Sequence, residues 1–228
     1  MPLPYAIYAR RVAEILPLVE SHLRAALGAP DARAAVTFLG ADRIEVLRFV
    51  DAAGGLVRYA TLGMSAAPMG DAASAVVDPV RGPRAELLLT VRAGLARTDE
   101  VLRPLAVLAA SPQVEGVVVA PGASLDVGGP LWPGAPFTSV LVAEGGGLVE
   151  DLELTELTAS PGVPGVPELT GPAGAPERGD PVRFLPLLPM TPNEAAFKRA
   201  RGAQELQERW LSHGTDLRDP LRGAVPLD

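Results

Sequence analysis

The chain has 228 residues, is 48% hydrophobic, and carries a formal charge of −7 with no cysteine and two histidines. That apolar content supports a sizeable buried core, and the missing cysteines exclude disulfides, thiolate metal sites and cysteine nucleophiles. The acidic balance, with arginines scattered rather than gathered into a stripe, argues against a direct nucleic-acid ligand.

Ile7, Val12, Ile15, Leu16, Val19, Leu23 and Leu27 recur at helical spacing, with Arg10, Arg11, Glu14, Glu20 and Arg24 on the other side. This predicts an amphipathic helix over residues 6–27, kinked or divided at Pro17 and ended by Gly28 and Pro30. Its charges, with His22, interrupt the apolar stretch, and no small-residue cleavage site follows, so it reads as neither signal peptide nor membrane span. No other segment approaches the roughly 20 uninterrupted apolar residues of a spanning helix. The expectation is a soluble, cytoplasmic protein with no membrane contact. Lys198 is the only lysine, and Ala, Gly, Pro and Arg abound, as in GC-rich bacterial genomes.

Three β-rich runs follow, Ala35–Leu39, Ile44–Val50 and Leu56–Leu62, separated by the turn signals Gly40-Ala41-Asp42 and Asp51–Gly55, which predicts an antiparallel meander. Ala85–Val91 supplies a fourth strand, and Ser65–Pro83 between them reads as a long loop. A helix is expected over Thr98–Ala110, its start pushed later by Pro104; then come Val117-Val118-Val119 and a Pro121-Gly122 turn. Phe137–Ala143 and Leu152–Thr158 read as strands joined through Glu144–Gly147, a glycine run without the lysine or the helix of a phosphate loop. From Ala159 to Pro181 six prolines alternate with glycines, which predicts a surface insertion; Pro161-x-x-Pro164 spacing there suits either a plain linker or a proline-reading groove. Phe184–Pro189 is the last strand. Thr191-Pro192-Asn193-Glu194 is a capping-box helix start, with a break at Gly202 and a second piece ending at His213-Gly214.

His22-Leu23, Leu27-Gly28-Ala29-Pro30 and Tyr59-Ala60-Thr61-Leu62-Gly63-Met64-Ser65-Ala66-Ala67-Pro68-Met69 together resemble the opening half of suppressor-of-fused domains, where a Thr-x-Gly-Met-Ser-x-x-Pro-Met signature follows a strand. Arg84–Leu89, the Leu102/Leu105/Leu108 helix, Pro121-Gly122 and Phe184–Leu187 before the Thr191 start keep the same order, with Ala159–Pro181 the clearest departure. The resemblance implies an α/β (α+β) fold: one domain over 1–228 with a mixed, largely antiparallel sheet flanked by helices, and the insertion at about 159–181. It also implies no known catalysis and a role in binding a protein. Larger animal members bind transcription factors of the Hedgehog pathway, partly by accepting a peptide as an added strand, and bacterial members often look like immunity proteins. The partner expected here is a protein, on the immunity reading a basic toxin; oligomeric state is not read.

Candidate partner-binding residues are Thr61, Gly63, Met64, Ser65, Pro68 and Met69, with Asp216, Arg218 and Asp219 in the charged tail. Met64 and Met69 suit either the wall of a binding groove or a plug in the core, and the tail suits either a ligand clamp or an internal dock for the C-terminus. The enzymatic alternative is a hydrolase using Ser65, since Gly63-Met64-Ser65-Ala66-Ala67 half-imitates a nucleophile elbow, but Pro68 breaks the helix that should follow. Another is a small-ligand sensor with a pocket near Met64 and the Pro121–Pro130 loop. No cofactor or metal is expected, because neither His22 nor His213 has a familiar ligand at i+3 or i+4.

Overall fold

Successive side chains point to opposite faces of a strand, so the near-continuous apolar runs of the central strands bury both faces. In β3, Val57 and Tyr59 join one core while Ala60 and Leu62 join another. The computed structural model describes residues 3–38, 42–70, 82–154 and 180–227, and the side chains of the first helix from Ile15 onward. Its strands are β1 (Ala32–Val36), β2 (Ile44–Asp51), β3 (Leu56–Leu62), β4 (Arg84–Arg92), β5 (Ser124–Asp126), β6 (Ser139–Val142) and β7 (Val182–Met190). They form one mixed sheet in the order β1-β2-β3-β4-β7-β6-β5. Only the β4–β7 pair is parallel; β1–β2, β2–β3, β3–β4, β7–β6 and β6–β5 are antiparallel.

The helices α1 (Leu3–Leu27), α2 (Leu102–Glu115), α3 (Pro192–Arg201) and α4 (Ala203–Ser212) cover the sheet. Leu105, Ala106, Leu108 and Ala109 of α2 pack on the face carrying Val46, Tyr59, Leu87, Leu89 and Val140. Ile15, Val19 and Leu23 of α1 pack on the opposite face against Leu47, Phe49, Ala60, Leu88 and Phe184. Farther along that second face, Leu206 and Trp210 of α4 meet Leu141 and Met190. Each fully buried Val, Leu, Ile, Phe or Met side chain among these contributes about 1.5–3 kcal/mol. Among the described residues no helix is long and apolar enough to cross a membrane.

Several boundaries differ from the sequence expectation. The first strand lies at Ala32–Val36 rather than Ala35–Leu39, because this edge strand pairs Ala32 with Arg48 and Val36 with Ile44 and buries little. Pro17 does not divide α1, and its ring lies on the exposed side of the helix. Helix α2 starts later than Thr98, at Leu102 after a 3-10 turn over Thr98–Val101, in keeping with the delay expected from Pro104. Pro104 occupies the first turn, where an amide would have no intrahelical acceptor. The helix also runs past Pro112 to Glu115, where left-handed Gly116 ends it. Of the strand expected at Leu152–Thr158, Leu152 forms an isolated bridge with Val182; residues 155–158 lie outside the described residues. So do residues 159–179 of the Pro-rich segment, residues 71–81 of the long loop, and Leu39, Gly40 and Ala41. The capping box at Thr191 forms as its sequence demands, with Thr191 Oγ1 accepting from the Glu194 amide and the Glu194 carboxylate accepting from the Thr191 amide.

Candidate functional site

At the end of β3 the chain turns through Gly63 into a 3-10 turn, Met64–Ala66. Gly63 has φ +133°, and a Cβ there would lie 2.7 Å from the Arg43 carbonyl oxygen, so both backbone and space require glycine. Glu86 of β4 is completely buried beside this turn. Its Oε1 accepts from the amides of Gly63 (2.9 Å) and Ser65 (3.0 Å) and from Ser65 Oγ (2.6 Å). Thr61 Oγ1 donates to the other carboxylate oxygen at 2.6 Å and accepts from the Leu87 amide at 2.8 Å. Arg84 completes the arrangement by donating to the carbonyls of Ser65 (2.7 Å) and Ala66 (2.9 Å).

The three polar positions of Thr61-x-Gly63-x-Ser65 therefore converge on one carboxyl group. Burial pushes the Glu86 pKa above the ordinary glutamate value, and the Ser65 and Thr61 hydroxyls with the two amides pull it back only in part. The turn's apolar residues face inward as well: Met64 and Met69 are 1% and 5% exposed and belong to the α2-side core. Of the residues expected to meet a partner here, Thr61, Gly63, Met64, Ser65 and Met69 are buried, and Pro68 is half-buried. Thr61, Ser65 and the Gly63 amide bond Glu86, and Met64 and Met69 pack in the core.

The same geometry bears on Ser65 as a nucleophile. Its hydroxyl is buried and already donates to Glu86. His22 Nε2 bonds the Glu150 carbonyl and its ring stacks on Phe184, while His213 Nδ1 lies 2.9 Å from the Arg209 carbonyl. The hydrogen bonds of neither histidine go to Ser65.

The charged tail forms a separate network. Arg92 Nε donates to Asp216 at 2.5 Å, the Arg92 amide donates to the Arg218 carbonyl at 2.7 Å, and Arg218 Nε closes on Asp216 at 3.2 Å. Burial would raise the Asp216 pKa, but the Arg92 guanidinium and the donors of Arg218 outweigh it and hold it low. Asp219 accepts from the Leu221 amide. Asp216 and Arg218 thus meet Arg92 at the end of β4, while the bond of Asp219 stays within the tail.

Just beyond, a buried cluster that the sequence did not single out fixes the C-terminal segment. Arg222 donates to both oxygens of Glu194 (2.7 and 3.1 Å) and to the Pro189 carbonyl (2.6 Å), with its guanidinium 4.9 Å from the centre of Phe137 and 5.5 Å from that of Trp210. Trp210 Nε1 and the Val225 amide also donate to Glu194. Burial opposes ionisation of Glu194, but Arg222, Thr191 and Trp210 win, and its pKa falls below the ordinary value.

An accessible cleft lies elsewhere, at the β5 edge of the sheet. It has a volume of about 470 Å³ and opens between α2, the irregular segment after Gly116, and β5. Val107, Val117 and Val118 line it while remaining 43%, 38% and 42% exposed, together with Leu125 and the carboxylates of Glu115 and Asp126. Among the described residues β5 pairs only with β6, so its outer ladder positions are open. The valine run was visible in the sequence; its apposition to α2 was not.

The model of the suppressor of fused protein family matches residues 40–223. Comparison with curated proteins gives no match. Among solved structures, a suppressor of fused homolog from Neisseria gonorrhoeae is 18% identical, with a TM-score of 0.64 over 93% of this chain and 97% of that one. The structure of a Sufu-Fu complex is 10% identical, with a TM-score of 0.55 over 92% and 91% of the two chains. Drosophila Suppressor of Fused is 12% identical, with a TM-score of 0.50, and this chain spans 50% of its length. At these identities the structural likeness is one of fold, and the fold agrees with the family match. The chain belongs to the suppressor of fused protein family.

Proposed function

We propose that the chain is a non-enzymatic, cytoplasmic protein-binding module that takes an extended, basic segment of its partner along the outer edge of β5. The α2–β5 cleft carries this reading: it combines open strand positions, exposed valines and the carboxylates of Glu115 and Asp126. An added strand gains main-chain hydrogen bonds, and its alternate side chains fall toward the apolar wall. The chain's charge of −7 favours encounter with a basic partner. Support also comes from the fold shared with a protein solved as a Sufu-Fu complex. In the finer, immunity-type version the basic partner is a toxin, and a toxin gene beside this one would support it.

The test uses a fluorescein-labelled octapeptide of alternating Val and Lys, with a Val/Glu octapeptide as its control. The Val/Lys peptide should bind and shift the amide resonances of Ser124–Asp126, and Val118→Lys, which removes an apolar contact and repels the peptide's lysines, should weaken it about tenfold or more, equivalent to ~1.4 kcal/mol. Shifts absent from β5, or equal binding of the Val/Glu peptide, would sink the reading.

A further inference from the structure

The Gly63–Met69 turn and the cleft are joined by one contact that neither the family signature nor the cleft lining reveals alone. The Val119 amide donates to the sulfur of Met69 at 3.4 Å, across 50 residues of sequence. Val119 is 3% exposed and lies in the cleft wall directly after the exposed Val117 and Val118. Its surroundings lack regular structure: α2 ends at Gly116, and β5 begins only at Ser124. Met69 is fixed more firmly, since its own amide donates to the Pro83 carbonyl at 2.8 Å. The turn just before it is bound to Glu86 through Ser65 and to Arg84 through the Ser65 and Ala66 carbonyls.

We infer that Met69 is a positioning residue for the cleft, its sulfur tying the Val117–Val119 wall to the turn that Glu86 organises. A thioether is a weak acceptor, but it is flexible, fills the core and satisfies a buried amide that would otherwise lack a partner. The signature turn thus acts on the accessible surface from beneath it, without meeting a partner itself. The consequence for binding rests on the reading of the cleft as the partner site.

Met69→Leu keeps the apolar volume and removes the acceptor. Amide exchange on the full chain, resolved by NMR, should show Val119 exchanging ~2- to 3-fold faster, the loss of one hydrogen bond at the weak end of the usual range, while Leu89 in β4 keeps its wild-type rate. Ser65→Ala, which loosens the turn without touching Val119, should speed the same amide by a smaller factor. Affinity for the Val/Lys octapeptide should fall severalfold in Met69→Leu. Unchanged Val119 exchange in Met69→Leu overturns the inference, as does an opened Val119 with unchanged peptide affinity. If the peptide fails to bind wild-type protein, the functional reading falls, and Val119 exchange alone still decides whether Met69 holds the wall.

Discussion

Among the described residues two glutamates are completely buried, and the protein treats them in opposite ways. Glu194 meets a guanidinium: Arg222 grips both its oxygens between Phe137 and Trp210, and its pKa is lowered. The four hydrogen bonds to Glu86 come from neutral donors, two hydroxyls and two amides, and its pKa is raised. The difference follows from what each site must hold. Glu194 gathers the N-cap of α3, the indole of α4 and the C-terminal segment, which lie far apart in sequence, and a full charge pair suits that task. Glu86 shapes one tight turn, where orienting two backbone amides matters more than attraction over distance.

Breaking the charge pair should have the largest effect. Arg222→Ala leaves Glu194 buried without its cation, and the expected loss is about 3–5 kcal/mol, read as a fall in the urea midpoint at neutral pH. Arg222→Lys should recover only part of it, because an ammonium reproduces neither the two-pronged contact nor the stacking on Phe137 and Trp210. A loss below 1 kcal/mol for Arg222→Ala would mean that the pair contributes no more than a surface bridge. At the other site the corresponding break is steric. Gly63→Ala forces a side chain into φ +133° and against the Arg43 carbonyl, with an expected cost of about 3 kcal/mol. Wild-type stability in that variant would show that the turn relaxes without the glycine.

The two sites also differ in how far the sequence disclosed them. Gly63 and Ser65 stood out, and so did the Thr191–Glu194 cap, because local geometry dictates those residue types within a few positions of one another. Glu86 was within view as the one acid in Ala-Glu-Leu-Leu-Leu, yet nothing in that pattern says that Thr61, 25 residues earlier, donates to it. Arg222 stood in view as one of two arginines in the charged tail, yet nothing there says that it pairs with Glu194, 28 residues earlier. The central strands were legible as apolar, β-branched runs between turn signals, whereas β1 slipped by three residues because an exposed, alanine-rich edge has no hydrophobic register to read. The cleft was least legible, since it depends on where the end of α2 falls relative to β5.

A smaller effect tests the contrast itself, through the sign of its pH dependence. Folding raises the Glu86 pKa above its ordinary 4.5, so the folded state retains a proton that the unfolded chain has released. Stability from this site is then present below the unfolded value and is lost as pH rises through the folded one. Glu86→Gln cannot titrate. At low pH it should cost about 1 kcal/mol, because Thr61 loses its acceptor. As pH climbs past the ordinary glutamate range, the variant should gain on wild type. Folding lowers the Glu194 pKa, so its stabilisation is present above the unfolded value and disappears as pH falls through the folded one. Glu194→Gln should therefore lose ground to wild type as pH rises. Urea midpoints of the three proteins across the acidic range give two slopes of opposite sign. Slopes of the same sign would show that hydrogen bonds from hydroxyls and amides hold a buried carboxylate ionised as well as an arginine does, and the distinction between the two sites would collapse.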